Sequence, residues 1–445
     1  MKSNQEQIIE KHSENIHKGL RDLSTCQFGI PGGLGNPRWT GELLLATYEM
    51  ARTGDLPRNG LEYRVGRSGG GFDVLDFKSP KPPFLKWDKG GFLTPHSAFR
   101  IPHSDDIDLS IPLNRRPWGP EIEIPIPIYG GGMSYGSISL NFMIARAKAA
   151  KRLKTFTSTG EGGYPPELVP YKDHIITQVA TGMFGVREET IQNARILEFK
   201  YAQGAKPGLG GHLLADKVTA EVARMRGSVA FSSLYSPFPF HSVYSVEDHR
   251  KHVDWLKAIH PDALISVKVS TPTDVDMVAV GSYYAGANII HIDGGYGGTG
   301  AAPEIAKKNI AMPIEFAIPR VHKYLLSEGV RDEVVLIASG GIRTADDVAK
   351  IIALGADGAV IASTECIAVG CTQCGNCERG RGCQVGITTT DPLLSQLIDL
   401  EWGEWRLINL YNAWGKRLKE ILKNLGLRSI RELRGRTDLL VKRME

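Results

Sequence analysis

Val334-Val335-Leu336-Ile337-Ala338-Ser339-Gly340-Gly341 is an apolar run of strand length that ends in a hydroxyl and two glycines. The same design recurs from about residue 122 onward, with each run leading into a glycine-rich or polar loop and then a helix-length segment. The runs cover 126–129, 155–158, 175–179, 196–200, 264–269, 289–292, 334–338 and 359–362. Eight such units are the count of an α/β fold of the (β/α)8 TIM-barrel type. An open, doubly wound sheet is the alternative left by pattern alone. The connection 201–261 is too long for one loop and one helix, so an insertion is expected at the catalytic face.

The chain has 445 residues, 42% of them hydrophobic, enough for a large core. Its 53 basic and 49 acidic residues leave a formal charge of +4, which demands neither nucleic acid nor an anionic membrane. The start, Met1-Lys2-Ser3-Asn4-Gln5, lacks the apolar core of a signal peptide, and no run approaches the ~18 apolar residues of a membrane span. A cytoplasmic enzyme is expected. Four regions follow: a polar helix (1–25) and an irregular layer with one helix at 41–52, together 1–120; the barrel, 121–365; a cysteine loop, 366–390; and a helical tail, 391–445. In the tail, 392–425 reads as one long helix and 429–434 as the start of a short one. The tail is expected to pack on the barrel or on a partner subunit.

Five of the six cysteines fall between Cys366 and Cys383, and Cys371, Cys374, Cys377 and Cys383 follow the spacing C-x2-C-x2-C-x5-C. Thiolates this close wrap a loop around one inorganic centre, as an iron–sulfur cluster requires. Structural zinc is the competing reading. Disulfides suit a cytosolic chain least.

In a barrel, phosphate binds at the loops after the seventh and eighth strands, here Ser339-Gly340-Gly341 and Ala362-Ser363-Thr364. The loop after the first strand, Gly130-Gly131-Gly132-Met133-Ser134, suits backbone lying against a flat ring. Glu161 sits among glycines after the second strand. Lys200, Lys206 and Lys268 are placed at the barrel mouth, where a desolvated ammonium needs an anion. Asp293-Gly294-Gly295-Tyr296-Gly297 has little bulk and could cover a planar ligand. A phosphate site, inward lysines and a neighbouring iron–sulfur loop imply flavin, which accepts single electrons and also transfers hydride; a nicotinamide cannot. Most of the zinc alternative falls with that argument. No G-x-G-x-x-G after a strand suggests a second nucleotide site, so FMN is expected over FAD.

The chain also resembles the FMN-binding synthase domain of the glutamate synthase family. The resemblance rests on Gly132-Met133-Ser134-Tyr135-Gly136-Ser137-Ile138-Ser139, Gln178-Val179-Ala180, Phe184-Gly185-Val186, Lys200-Tyr201-Ala202-Gln203-Gly204-Ala205-Lys206-Pro207-Gly208, Ser266-Val267-Lys268, Gly297-Gly298-Thr299-Gly300-Ala301 and Gly386-Ile387-Thr388-Thr389-Thr390-Asp391-Pro392, in the family's order. It implies reduction of 2-iminoglutarate, formed from 2-oxoglutarate and ammonia, to L-glutamate. It also implies that Met133, Ser134, Gln178 and Lys268 contact the flavin, while Gly340, Gly341, Ala362 and Thr364 hold its phosphate. Lys200, Lys206 and Arg226 would clamp the substrate carboxylates, and Glu161 would serve proton transfer.

Four departures from the family pattern stand out. No amidotransferase nucleophile is evident, since the first cysteine is Cys26 within Ser24-Thr25-Cys26-Gln27, and the family's β-helix domain has no counterpart. The usual cluster pattern has three cysteines, matched by Cys371, Cys377 and Cys383; the additional Cys374 favours a 4Fe-4S centre over 3Fe-4S. His212 stands where the family usually has a substrate-binding glutamine. In these respects the chain is similar to the free-standing third subunit of N-methylglutamate synthase (methylamine–glutamate N-methyltransferase), which works with separate amidotransferase-like and β-helix subunits. That resemblance implies conversion of L-glutamate and methylamine to N-methyl-L-glutamate and ammonia, ahead of the glutamate-forming reaction. An FMN hydroxy-acid oxidase-type enzyme is a further alternative, though it leaves the cysteine loop unexplained.

Overall fold

The computed structural model describes residues 36–78, 86–87, 93–94, 106–298 and 300–443. The helix expected over 1–25, Cys26 and Thr299 lie outside these residues.

Eight parallel strands form one sheet: β1 (Ile128–Gly130), β2 (Thr157–Ser158), β3 (Ile175–Ala180), β4 (Ile196–Lys200), β5 (Leu264–Val269), β6 (Ile289–Asp293), β7 (Val335–Ser339) and β8 (Gly358–Ile361). Each pairs with its sequence neighbour from β2 round to β8, and β8 pairs with β1. The remaining seam, between β1 and β2, is drawn together by the Gly130 N–H to Phe156 O bond (2.9 Å), the Thr155 Oγ1–H to Ile128 O bond (2.8 Å) and a parallel bridge between Gly132 and Ser158. A ring closed in this way is the TIM barrel and not the open sheet. The strands are buried along their whole length, as parallel strands covered on both faces must be.

The helices are α1 (Gly41–Thr53), α2 (Leu140–Leu153), α3 (Glu188–Gln192), α4 (Ala220–Arg226), α5 (Val246–Ile259), α6 (Val275–Tyr284), α7 (Glu304–Asn309), α8 (Ile314–Ser327), α9 (Ala345–Ala353), α10 (Ser363–Ala368), α11 (Pro392–Ser395) and α12 (Leu400–Leu425). After β2 a 3-10 segment, Pro166–His174, stands in for an α-helix, because Pro170 inside it cannot donate an i−4 bond. The expected insertion is present between β4 and α5 and carries α4. Among the described residues, no helix is long and apolar enough to cross a membrane.

The tail differs from the single helix expected over 392–425. Asp391 and Asp399 each turn a carboxylate onto the backbone N–H groups that follow, so the chain starts a helix twice and is broken between Ser395 and Leu400. The tail packs on the barrel. Arg406 of α12 is buried, donates to Ala368 O (2.7 Å) and Tyr48 O (2.9 Å), and lies over the Tyr48 ring. Glu404 pairs with Lys148 (2.9 Å) and Arg152 (2.8 Å) of α2. The short element expected near 429–434 is a 3-10 turn, Ile430–Leu433, capped by Ser429.

The N-terminal layer is fastened to the barrel by Arg343, which is 1% exposed and pairs with Asp73 (2.7 Å) and Asp347 (2.9 Å). Burial pushes the Asp73 carboxyl up, but the hydrogen bond and charge of Arg343, with Ser68 and Gly66, hold it down at about 2. Removing the cation leaves two buried carboxylates unpaired, so Arg343→Leu should cost ~3–5 kcal/mol of stability by chemical denaturation. The Asp73 contribution is complete above its unfolded pKa of about 4 and is lost as pH falls through about 2, because the folded value is the lower one. The stability difference between the wild-type chain and Asp73→Asn should therefore be largest above about pH 4 and shrink toward pH 2.

Candidate active site

The C-terminal ends of the strands open into a cavity of about 790 Å³, within the usual range for small-molecule and cofactor sites. Gly132, Met133, Ser134, Glu161, Gln178, Lys200, Lys206, His212, Lys268, Gly340, Gly341 and Ala362 line it, and Cys371, Cys374, Cys377 and Cys383 line it as well. Residues expected at the barrel mouth and in the cysteine loop thus share one space.

Four expected residues are placed differently. Arg226 sits behind the cavity wall, 2% exposed, with its guanidinium donating to Ser134 Oγ (2.9 Å), Tyr135 O (3.1 Å) and Gly211 O (3.1 Å). Gly294 and Gly295 pack their backbone against Ile314 and Ala311, where a Cβ would strike, and neither lines the cavity. Thr364 is fully buried and turns its hydroxyl to Ile342 O (3.3 Å), while its neighbour Ser363 lines the cavity.

The cations are unequally matched. The Lys200 ammonium forms an ion pair with Glu161 and also donates to Gln203 Oε1 (2.7 Å). Lys268 faces Asp293 at 3.4 Å. Burial pushes the Glu161 carboxyl up, yet Lys200, Arg226 and Lys206 together hold it below the ordinary carboxylate range. Among the described residues, Lys206 and Arg226 have no carboxylate within ion-pair distance, and burial lowers the pKa of both. Three cations gathered around the one carboxylate of Glu161 leave an excess of positive charge that favours a small anion. His212 packs its ring edge on Tyr235, with centroids 5.2 Å apart, and its buried Nε2 has no hydrogen-bond partner.

Beneath the cavity runs a network that the sequence reading missed. Glu198 accepts from Gln178 Nε2 (2.7 Å) and Ser266 Oγ (2.9 Å), and it contacts His291 Nδ1 (2.9 Å). His291 Nε2 meets Ser339 Oγ at 2.7 Å, and that hydroxyl donates to Asp293 Oδ1 at 2.5 Å. Asp293 Oδ2 then accepts from the Gly204 N–H (2.9 Å) and faces Lys268. Burial would raise the Glu198 carboxyl, but His291, Lys268 and Gln178 hold it at about 2. The signal was present in the two-residue strand period. Glu198 shares a face with Lys200, and His291 shares one with Asp293.

Glycines shape the cavity wall. A Cβ on Gly132 would lie 2.7 Å from Gln178 Nε2, and Gly340 and Gly341 adopt left-handed φ of 91° and 84°. A Cβ on Gly300 would lie 2.7 Å from Cys377 Sγ, so the cysteine loop docks closely against the loop after β6. The described cysteines are free, and no group of three or more His, Cys, Asp or Glu among the described residues is gathered around a metal-sized point. The donor set nevertheless suits a thiolate-bound centre: four thiols open on one cavity, with the Lys217 ammonium buried beside Cys377 and Cys383.

The chain matches the family model for a conserved region in glutamate synthase over residues 102–428. It is 45% identical over 322 residues to the archaeal glutamate synthase (NADPH) of Methanocaldococcus jannaschii, covering 72% of this chain and 63% of that protein. It is 38% identical over 419 residues to the archaeal-type glutamate synthase (NADPH) of Dehalococcoides mccartyi, covering 90% and 80%. The chain thus spans about 63% of the length of the first of these relatives. The flavin-binding domain of baker's yeast flavocytochrome b2 superposes with a TM-score of 0.51 at 14% identity, covering 96% of this chain and 90% of that one, a likeness of fold alone. With the family model matched along most of its length and its motifs gathered at the mouth of one barrel, the chain belongs to the glutamate synthase family.

Proposed function

We propose that this chain is an FMN- and iron–sulfur-dependent synthase unit that forms L-glutamate from 2-oxoglutarate and ammonia by reducing 2-iminoglutarate. The observation that carries the reading is Lys206, which among the described residues has no carboxylate within ion-pair distance, beside the Lys200–Glu161 ion pair and with Arg226 behind it, at the mouth of a barrel of this family. The names of the relatives, glutamate synthase (NADPH), support the glutamate-forming reaction over the methylamine reaction.

The wall fits FMN. Gly132 leaves room where a Cβ would strike Gln178, and the left-handed glycines 340 and 341 present backbone beside Ala362. Met133, Ser134, Gln178 and Lys268 would contact the flavin ring and ribityl chain. Gly340, Gly341 and Ala362 would hold the phosphate through backbone, with Thr364 limited to its backbone N–H because its hydroxyl is engaged with Ile342. FMN supplies hydride transfer and one-electron exchange. Cys371, Cys377 and Cys383, with Cys374 as a fourth ligand, would hold the cluster.

The residues of this chain do the remainder. Lys200, Lys206 and Arg226 bind the two carboxylates of the oxo-acid, Arg226 by releasing one of its contacts to Ser134 or Gly211. Glu161, kept ionised by these cations, holds the iminium N–H and exchanges its proton. Excluding water from this mouth strengthens every such contact. Ammonia arrives free or from a partner carrying an amidotransferase, with a β-helix subunit as the second expected partner. Conversion of L-glutamate and methylamine to N-methyl-L-glutamate is a second reading. It is favoured by His212, whose partnerless Nε2 and contact with Tyr235 give the cavity a mixed polar and apolar wall.

Two outcomes test this reading. Loss of one charge-assisted carboxylate contact costs ~2–4 kcal/mol, so Lys206→Ala should lower kcat/KM for 2-oxoglutarate about 30- to 1000-fold while bound FMN is retained. Ordinary kinetics in that variant would remove Lys206 from the site. Product analysis with the chain and its partners should give glutamate from 2-oxoglutarate, ammonia and a reductant. N-methylglutamate formed from glutamate and methylamine without reductant would favour the second reading instead.

A further inference from the structure

One buried cation in the cavity wall has no place in the chemistry above. Lys217 is 3% exposed, and its ammonium donates to Ser137 O (3.1 Å) and Cys377 O (2.9 Å). Both acceptors are neutral, and an ammonium carries three N–H donors. Among the described residues no carboxylate lies within ion-pair distance of it. The adjacent Asp216 is turned to the Gly380 N–H (2.9 Å). A desolvated ammonium with only carbonyl partners is costly unless an anion completes its surroundings. The ionisable groups that act on it most strongly are the thiols of Cys377 and Cys383, ahead of Asp216, with Lys206 opposing them.

Its two bonds join the two halves of the site. Ser137 belongs to the loop after β1, and its hydroxyl lies 2.7 Å from that of Ser134, which lines the cavity. Cys377 belongs to the cysteine loop. We propose that Lys217 is the counter-cation of the iron–sulfur centre, raising its reduction potential while it ties the cysteine loop to the loop after β1. The inference rests on reading Cys371, Cys374, Cys377 and Cys383 as cluster ligands. A cluster gains negative charge when it takes up an electron, and a fixed cation in a dry wall favours that reduced form.

The test uses the full chain, reconstituted anaerobically with iron and sulfide and titrated with dithionite and mediators, with the cluster followed by EPR and visible absorption. Lys217→Met should retain iron and sulfide yet show a more negative midpoint potential than the wild-type chain. Lys217→Arg, which keeps the charge, should stay close to wild type. Failure of Lys217→Met to take up a cluster that Lys217→Arg accepts would also support the cation. A wild-type potential in Lys217→Met would overturn the proposal. So would an equal shift, or equal loss of cluster, in both variants, because shape and not charge would then be at work. If the wild-type chain takes up no redox-active cluster, the reading of the cysteines fails, and the proposal fails with it.

Discussion

Desolvated positive charge at the barrel mouth is the constraint on which the rest of this site depends. Lys200, Lys268 and Arg226 are buried there, and Lys206 is half-buried beside them. A cation there needs either a carboxylate from the protein or an anion from outside. Lys200 and Lys268 have carboxylates in Glu161 and Asp293; Lys206 and Arg226 have none within ion-pair distance among the described residues. The division matters chemically. The paired lysines and the hydrogen-bonded Arg226 are oriented before any ligand arrives, whereas Lys206 gains most from an added anion.

The floor of the barrel explains how such charges are held in register. Parallel pairing sets Gln178 beside Glu198, and Lys268 beside both Lys200 and His291. Glu198, His291, Ser339 and Asp293 then connect across the interior by hydrogen bonds of 2.5–2.9 Å, and Asp293 passes the constraint to Lys268. Ser339 donates to Asp293, and the Glu198 carboxylate and the Ser339 hydroxyl each engage one imidazole nitrogen of His291. With its donors and acceptors satisfied in this way, the network is rigid and not merely buried. Lys268 is therefore fixed from below by groups on four strands.

Much of this architecture was readable before any coordinates. The eight apolar runs fall on the eight strands, with ends shifted by at most two residues, because burial on both faces leaves a strong signal. The long connection after Lys200 announced its insertion. The break between Ser395 and Leu400 was hidden by continuous helical periodicity, although Asp391 and Asp399 are ordinary cap residues that could have marked two starts. Glu198 and His291 are polar residues inside apolar strands, and their role shows only through the two-residue alternation that sets them on the face of the lysines. Gly294 in its glycine-rich loop suggests room for a ligand, while its missing side chain makes room for Ile314. No sequence rule separates those two uses of glycine, since both ask only for close approach.

The cysteine loop shows why proximity in sequence to the eighth strand is useful. The short helix α10 follows Ala362 at the barrel mouth and ends at Ala368, just before Cys371. Cys366 at its end lies with its sulfur 3.8 Å from that of Met133 in the first loop. Gly300 lets Cys377 approach the loop after β6, and Gly380 is held by Asp216 from the insertion and by Thr389 from the segment leading to the tail. Four separate parts of the chain thus clamp a loop that has little regular structure of its own. Such a loop would lose too much conformational entropy to be ordered for its own sake. Its many anchors make sense when its position relative to the barrel mouth is what must be kept, and the proposed one-electron exchange between a thiolate-held centre and a cofactor in the cavity would impose that requirement.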